Sequence, residues 1–190
     1  MISVRKIGKH LGAEIAGVDL SRPLDEDAFA NIAASFFSHQ VVVFRGQKLT
    51  PSQQIAFTRR FGELEHHVRK EHRLNGHPEI LIVANVVDER GIAVGVQDAG
   101  RFWHSDLSYK QVPSLLSALY ALEVPVAGGR VLGGTSFAST TAAYEALSRD
   151  EQRRLQDLRN VHSYRYYRAK NLQAQKEEQA RGARGCRSTR

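Results

Sequence analysis

The stretch Arg101-Phe102-Trp103-His104-Ser105-Asp106-Leu107-Ser108-Tyr109 decides how this chain reads. It alternates, with Phe102, His104, Asp106 and Ser108 on one face and Trp103, Ser105, Leu107 and Tyr109 on the other. A period of two predicts a strand. On a strand, positions i and i+2 share a face, so the imidazole of His104 and the carboxylate of Asp106 converge on one point. A neutral imidazole and a carboxylate beside open positions make up two thirds of the two-His-one-carboxylate set that holds non-haem Fe(II). The competing reading of a bare His-x-Asp is a surface Asp beside a partly buried His. The rest of the chain weighs between them.

Downstream, Leu115-Leu116-Ser117-Ala118-Leu119-Tyr120-Ala121-Leu122 predicts a further apolar strand. Gly128-Gly129 and Gly133-Gly134 then bracket Arg130-Val131-Leu132, and a helix is expected around Thr141–Leu147. Ser148-Arg149-Asp150-Glu151 has the form of a capping box, and Leu155, Leu158 and Val161 fall on one face of the helix it opens. Upstream, residues 3–20 read as short strands broken by Gly8, Gly12 and Gly17. Leu24, Phe29, Ile32, Ala33 and Phe36 have helical spacing, with Asp25, Glu26 and Asp27 in the first turn, where the helix dipole favours acids. Val41-Val42-Val43-Phe44 predicts a buried strand. Thr50-Pro51-Ser52-Gln53 starts a helix expected to reach Phe61, with Gly62 as its stop. Residues 63–78 read as a His-rich loop, 80–84 as a buried strand and 87–100 as a glycine-containing loop. The pattern is mainly β with flanking helices, an α+β arrangement. It divides into one domain over residues 1–172 and a basic tail over 173–190 with too little apolar surface to fold.

The net charge of +7 invites a nucleic-acid reading, but residues 1–148 hold 15 Lys+Arg against 15 Asp+Glu. The excess lies after that point, where 12 basic residues face 5 acidic ones. A neutral body with a basic tail argues against a phosphate-reading fold, so no nucleic-acid partner is expected. No apolar run approaches a membrane span and Met1–Lys6 opens no signal peptide, so no membrane partner is expected. The single cysteine, Cys186, suits a reducing cytoplasm.

Several pieces in order carry a family resemblance. They are Leu11-Gly12-Ala13-Glu14-Ile15 with Gly17-Val18-Asp19-Leu20, Val41-Val42-Val43-Phe44-Arg45-Gly46-Gln47, and Ala56-Phe57-Thr58-Arg59-Arg60-Phe61-Gly62. Trp103-His104-Ser105-Asp106 and Ala142-Ala143-Tyr144-Glu145-Ala146-Leu147 follow. Over about residues 3–165 the chain resembles the Fe(II)- and 2-oxoglutarate-dependent dioxygenases of the taurine dioxygenase and 2,4-dichlorophenoxyacetate dioxygenase group. The resemblance implies a double-stranded β-helix, or jelly roll, incomplete here. It implies Fe(II) as metal, 2-oxoglutarate as cosubstrate and O2 as oxidant, with succinate and CO2 as co-products. The second substrate it implies is a small organic anion: a sulfonate, aryloxyacetate or alkyl sulfate.

Carried over residue by residue, His104 and Asp106 match the first two iron ligands. Thr135 matches the Thr that helps hold 2-oxoglutarate, although the family's Gly-Gly-Asp-Thr stands here as Gly-Gly-Arg-Val-Leu-Gly-Gly-Thr, so the turn carries an insertion or the register shifts. His67 falls where taurine enzymes place a His against the substrate's anionic group; the alternative is one loop histidine among several. The family's third ligand, a His followed by an Arg that pairs with 2-oxoglutarate, lies well past position 190. His162, with Arg165 and Arg168 after it, offers itself as a substitute, yet its segment matches a helical stretch upstream of the barrel's second half. The resemblance therefore implies a chain shortened relative to its relatives, with open strand edges that favour self-association. Two readings follow: a dioxygenase with two of its iron ligands present, or an inactive family member that binds metal weakly or not at all.

Overall fold

The structure, a computed structural model, describes residues 2–97, 100, 102–166, 169, 170 and 172. The expected basic tail, 173–190, lies outside the described residues. Two compact units emerge: residues 1–103 with 118–152, and residues 104–117 with the described residues from 153 onward.

The first unit is built on β1 (Ser3–Lys6), β2 (Ala13–Ala16) and β3 (Val42–Val43), in the order β1-β2-β3. β1 and β2 pair antiparallel, while β3 joins β2 in parallel. A parallel neighbour needs a crossover, and α1 (Glu26–His39) supplies it. Asp25 caps α1, its side chain accepting the Ala28 N–H at 2.7 Å. It stands just ahead of the first turn in which the sequence placed it. α1 ends where Gln40 turns left-handed at φ 63°.

The strand pattern of β2 buries Ala13 and Ile15 and turns Glu14 and Ala16 outward. Ile15, Leu20 and Ile32 form the fully covered centre, with Val42, Phe44, Phe57 and Phe61 packed around them. Phe61 meets Phe29 edge-on at 4.8 Å and Phe57 at 5.7 Å. The Arg60 guanidinium lies 4.1 Å from the centroid of Phe29 and donates to the Leu24 carbonyl at 2.7 Å. Each fully buried aliphatic side chain contributes roughly 1.5–3 kcal/mol.

α2 (Pro51–Arg59) carries the full capping box between Thr50 and Gln53, as its sequence requires, and stops two residues before Phe61. Val41–Phe44 is half-buried and only Val42–Val43 forms ladder bonds, so the apolar run makes a shorter strand than its length implies.

The stretch 63–78 is more ordered than the loop expected of it. It holds a 3-10 turn at Lys70–His72 and a hairpin of β4 (Arg73–Leu74) and β5 (His77–Leu81). The turn is Asn75-Gly76, with Gly76 at φ 77°. Asn-Gly is a strong hairpin signal, and polar composition masks it here. Further on, Gly95 must stay a glycine. A Cβ there would sit 2.8 Å from the Ile82 carbonyl oxygen and 2.9 Å from the Ala84 nitrogen.

β6 (Val126–Ala127) and β7 (Arg130–Val131) form a second hairpin over Gly128-Gly129, both at positive φ. The Tyr120 hydroxyl accepts the Leu49 N–H at 3.0 Å and so ties the segment after Ala118 to the core unit. α3 (Thr140–Glu145) is capped by Ser139. α4 (Arg149–Gln156) opens with reciprocal Ser148–Glu151 bonds. It ends before Leu158 and Val161, which are 69% and 87% exposed rather than on a buried helix face.

Two expected strands are not strands among the described residues. Residues 103–105 make no ladder, and 106–109 form a turn with Leu107 at φ 50°. Residues 115–122 also lack ladder bonds. A period of two builds a strand only where another strand supplies the hydrogen bonds.

Candidate metal centre

His104 and Asp106 belong to the second unit, which describes residues 104–117 together. His104 precedes the turn and Asp106 opens it. The turn closes through the Lys110 N–H, which donates to the Leu107 carbonyl at 2.9 Å. The backbone thus reaches by a turn the convergence that the alternation assigned to a strand. His104 Nε2 stands 3.3 Å from Asp106 Oδ1, with the two side chains 37% and 52% exposed.

At that separation the two atoms can share a proton or face one metal ion. The donor types, imidazole nitrogen and carboxylate oxygen, suit Fe(II). The pair therefore fits two positions of the metal expected there.

The other oxygen of Asp106 is engaged as well. Ser117 Oγ donates a hydrogen bond to Asp106 Oδ2. Sequence reasoning missed this residue. Its one signal was a lone hydroxyl inside the apolar run Leu115–Leu122. The turn itself is braced from the segment after 153: His162 Nδ1 bonds Ser108 Oγ at 3.0 Å, and the Tyr109 and Tyr164 rings meet at a tilt with centroids 5.0 Å apart.

His162 does not join the pair. Asn160 Nδ2 lies 3.3 Å from its Nε2 and Ser108 Oγ lies 3.0 Å from its Nδ1, so both ring nitrogens are engaged elsewhere. Among the described residues, no three His, Cys, Asp or Glu side chains come together as a metal cage.

His67 and Thr135 lie in the first unit. His67 is half-buried, and its Nδ1 accepts the Arg69 N–H at 3.2 Å. The His67 carbonyl accepts hydrogen bonds from the Arg73 guanidinium, from Nε at 2.8 Å and from Nη2. Thr135 is exposed and follows the second glycine pair, outside the hairpin that the first pair turns.

Comparison with known proteins gives this geometry its setting. The chain belongs to the family described as taurine catabolism dioxygenase TauD, TfdA family, matched over residues 3–188. The match runs past the 3–165 read from the motifs and through the basic segment in which no likeness was seen. Members of this family use Fe(II) and 2-oxoglutarate. The chain is 38% identical over 165 residues to pentalenolactone F synthase of Streptomyces avermitilis, covering 83% of this chain and 51% of that protein. It is 36% identical over 162 residues to the alpha-ketoglutarate-dependent 2,4-dichlorophenoxyacetate dioxygenase of Cupriavidus pinatubonensis, covering 79% and 54%.

Among solved structures, a taurine dioxygenase from Burkholderia xenovorans superposes with a TM-score of 0.68 at 29% identity, over 86% of this chain and 54% of that one. AAD-2 in complex with Mn(II) and N-oxalylglycine gives a TM-score of 0.61 at 26% identity, over 90% and 56%. The chain spans about half the length of the curated relatives it matches. No helix among the described residues is long and apolar enough to cross a membrane.

Proposed function

We propose that this chain supplies two protein ligands, His104 and Asp106, to the Fe(II) centre of a 2-oxoglutarate-dependent dioxygenase acting on a small organic anion. The observation that carries this is the 3.3 Å approach of His104 Nε2 to Asp106 Oδ1 in a chain of this family. Bound there, Fe(II) with 2-oxoglutarate and O2 supplies oxidising power, with succinate and CO2 as co-products. The double-stranded β-helix is the architecture we assign to the whole catalytic domain, and the cytoplasm its compartment. His67 is our candidate for the substrate's anionic group, because it falls where taurine enzymes place a His against that group. Thr135 is our candidate for 2-oxoglutarate.

A second reading has its own support. Among the described residues only two donors converge, which suits a family member that binds metal weakly and turns over little. Succinate release with Fe(II), ascorbate and 2-oxoglutarate separates the two. Release that depends on a sulfonate or aryloxyacetate and disappears in His104→Ala supports the dioxygenase. Metal binding without succinate supports the second reading.

A further inference from the structure

We infer that Ser117 is a positioning residue for Asp106: its hydroxyl holds Oδ2 and so turns Oδ1 toward His104 Nε2. This rests on the reading of His104 and Asp106 as metal donors. The torsion that orients an aspartate carboxylate is broad and two-fold, so an exposed carboxylate has no intrinsic preference for which oxygen faces a neighbour. Asp106 is half-exposed, and burial does not orient it. What breaks the symmetry is chemical. Oδ2 accepts from Ser117 Oγ, while Oδ1 faces the imidazole nitrogen. A hydroxyl donating to an ionised carboxylate makes a short, charge-assisted bond, about twice as strong as a neutral one. With Oδ2 so occupied, Asp106 presents a single oxygen, which would suit one position of a bound metal.

The backbone gives Ser117 leverage. It lies 11 residues beyond Asp106, across the turn whose Leu107 takes φ 50°. A non-glycine residue in that region is held there by its surroundings. The Lys110–Leu107 bond, the His162–Ser108 bond and the tilted Tyr109–Tyr164 ring contact supply that hold. The hydroxyl thus acts on a carboxylate whose backbone is already fixed, so its remaining effect is on the carboxylate's rotation. Groups that orient metal-binding side chains from behind typically change metal affinity by about 10- to 100-fold when removed.

The test is Co(II) titration of the whole chain without oxygen, followed by visible absorption and by thermal unfolding with and without metal. Ser117→Ala should bind Co(II) about tenfold more weakly and change the absorption bands, yet unfold like the parent when metal-free. Ser117→Thr keeps the hydroxyl and should restore both affinity and spectrum. If Ser117→Ala matches the parent isotherm and spectrum while His104→Ala loses affinity, the positioning role is wrong and the donor pair stands. If His104→Ala also binds like the parent, or the parent does not bind, the donor pair is wrong and this inference goes with it.

Discussion

Residues 13–61 and residues 115–137 carry similar apolar patterns and meet opposite fates. In the first region Ile15 and Ile32 are 1% and 0% exposed. In the second, Leu119, Leu122 and Val131 are 73%, 87% and 69% exposed. The difference lies in what each pattern finds to pack against. β2 has strands on both sides and α1 across its face. Residues 115–122 have no strand partner among the described residues. A pattern states which face is to be covered, and other elements determine whether it is.

This contrast predicts a steep gradient in mutational cost. Ile32→Ala should destabilise the chain by about 2–5 kcal/mol in urea unfolding, because a filled site in the centre becomes a cavity. Leu122→Ala should fall within about 0.5 kcal/mol of the parent. Equal costs at the two positions would erase the distinction. Gly95→Ala should come next, at about 1–3 kcal/mol, since its Cβ meets backbone atoms that cannot swing aside. Thr50→Ala should cost about 1 kcal/mol by removing the cap of α2.

The smallest effect is electrostatic. Asp19 has its carboxyl held below the usual carboxylate range by the Ser21 hydroxyl, then by the Ser21 N–H. A lowered pKa means the unfolded chain binds the proton more readily. The stability this contributes is present above the ordinary value of 3.8 and is lost as pH falls through the lower folded value. Asp19→Asn should lower stability slightly at neutral pH, and its difference from the parent should vanish as pH falls below the folded value. A loss of equal size at neutral and acid pH would contradict the assignment.

The same contrast explains what could be read from the residues alone. Caps are local, so Thr50-Pro51-Ser52-Gln53 and Ser148–Glu151 announced their helices within one turn of chain. Asn75-Gly76 was equally local and was hidden by the histidines around it. The strands expected at 101–109 and 115–122 depended on partners, which no window of their own sequence contains. The approach of His104 to Asp106 was legible because two positions apart is close in either a strand or a turn. The Ser117 contact with Asp106 was not, since it depends on how the turn returns the chain.

The central claim is that His104 and Asp106 are metal donors rather than a surface ion pair. Anaerobic Fe(II) titration of the parent chain, His104→Ala and Asp106→Ala tests it most directly. The account predicts saturable binding of one Fe(II) by the parent and its loss in both variants, each still folded by circular dichroism. Parent-like isotherms in both variants would contradict it.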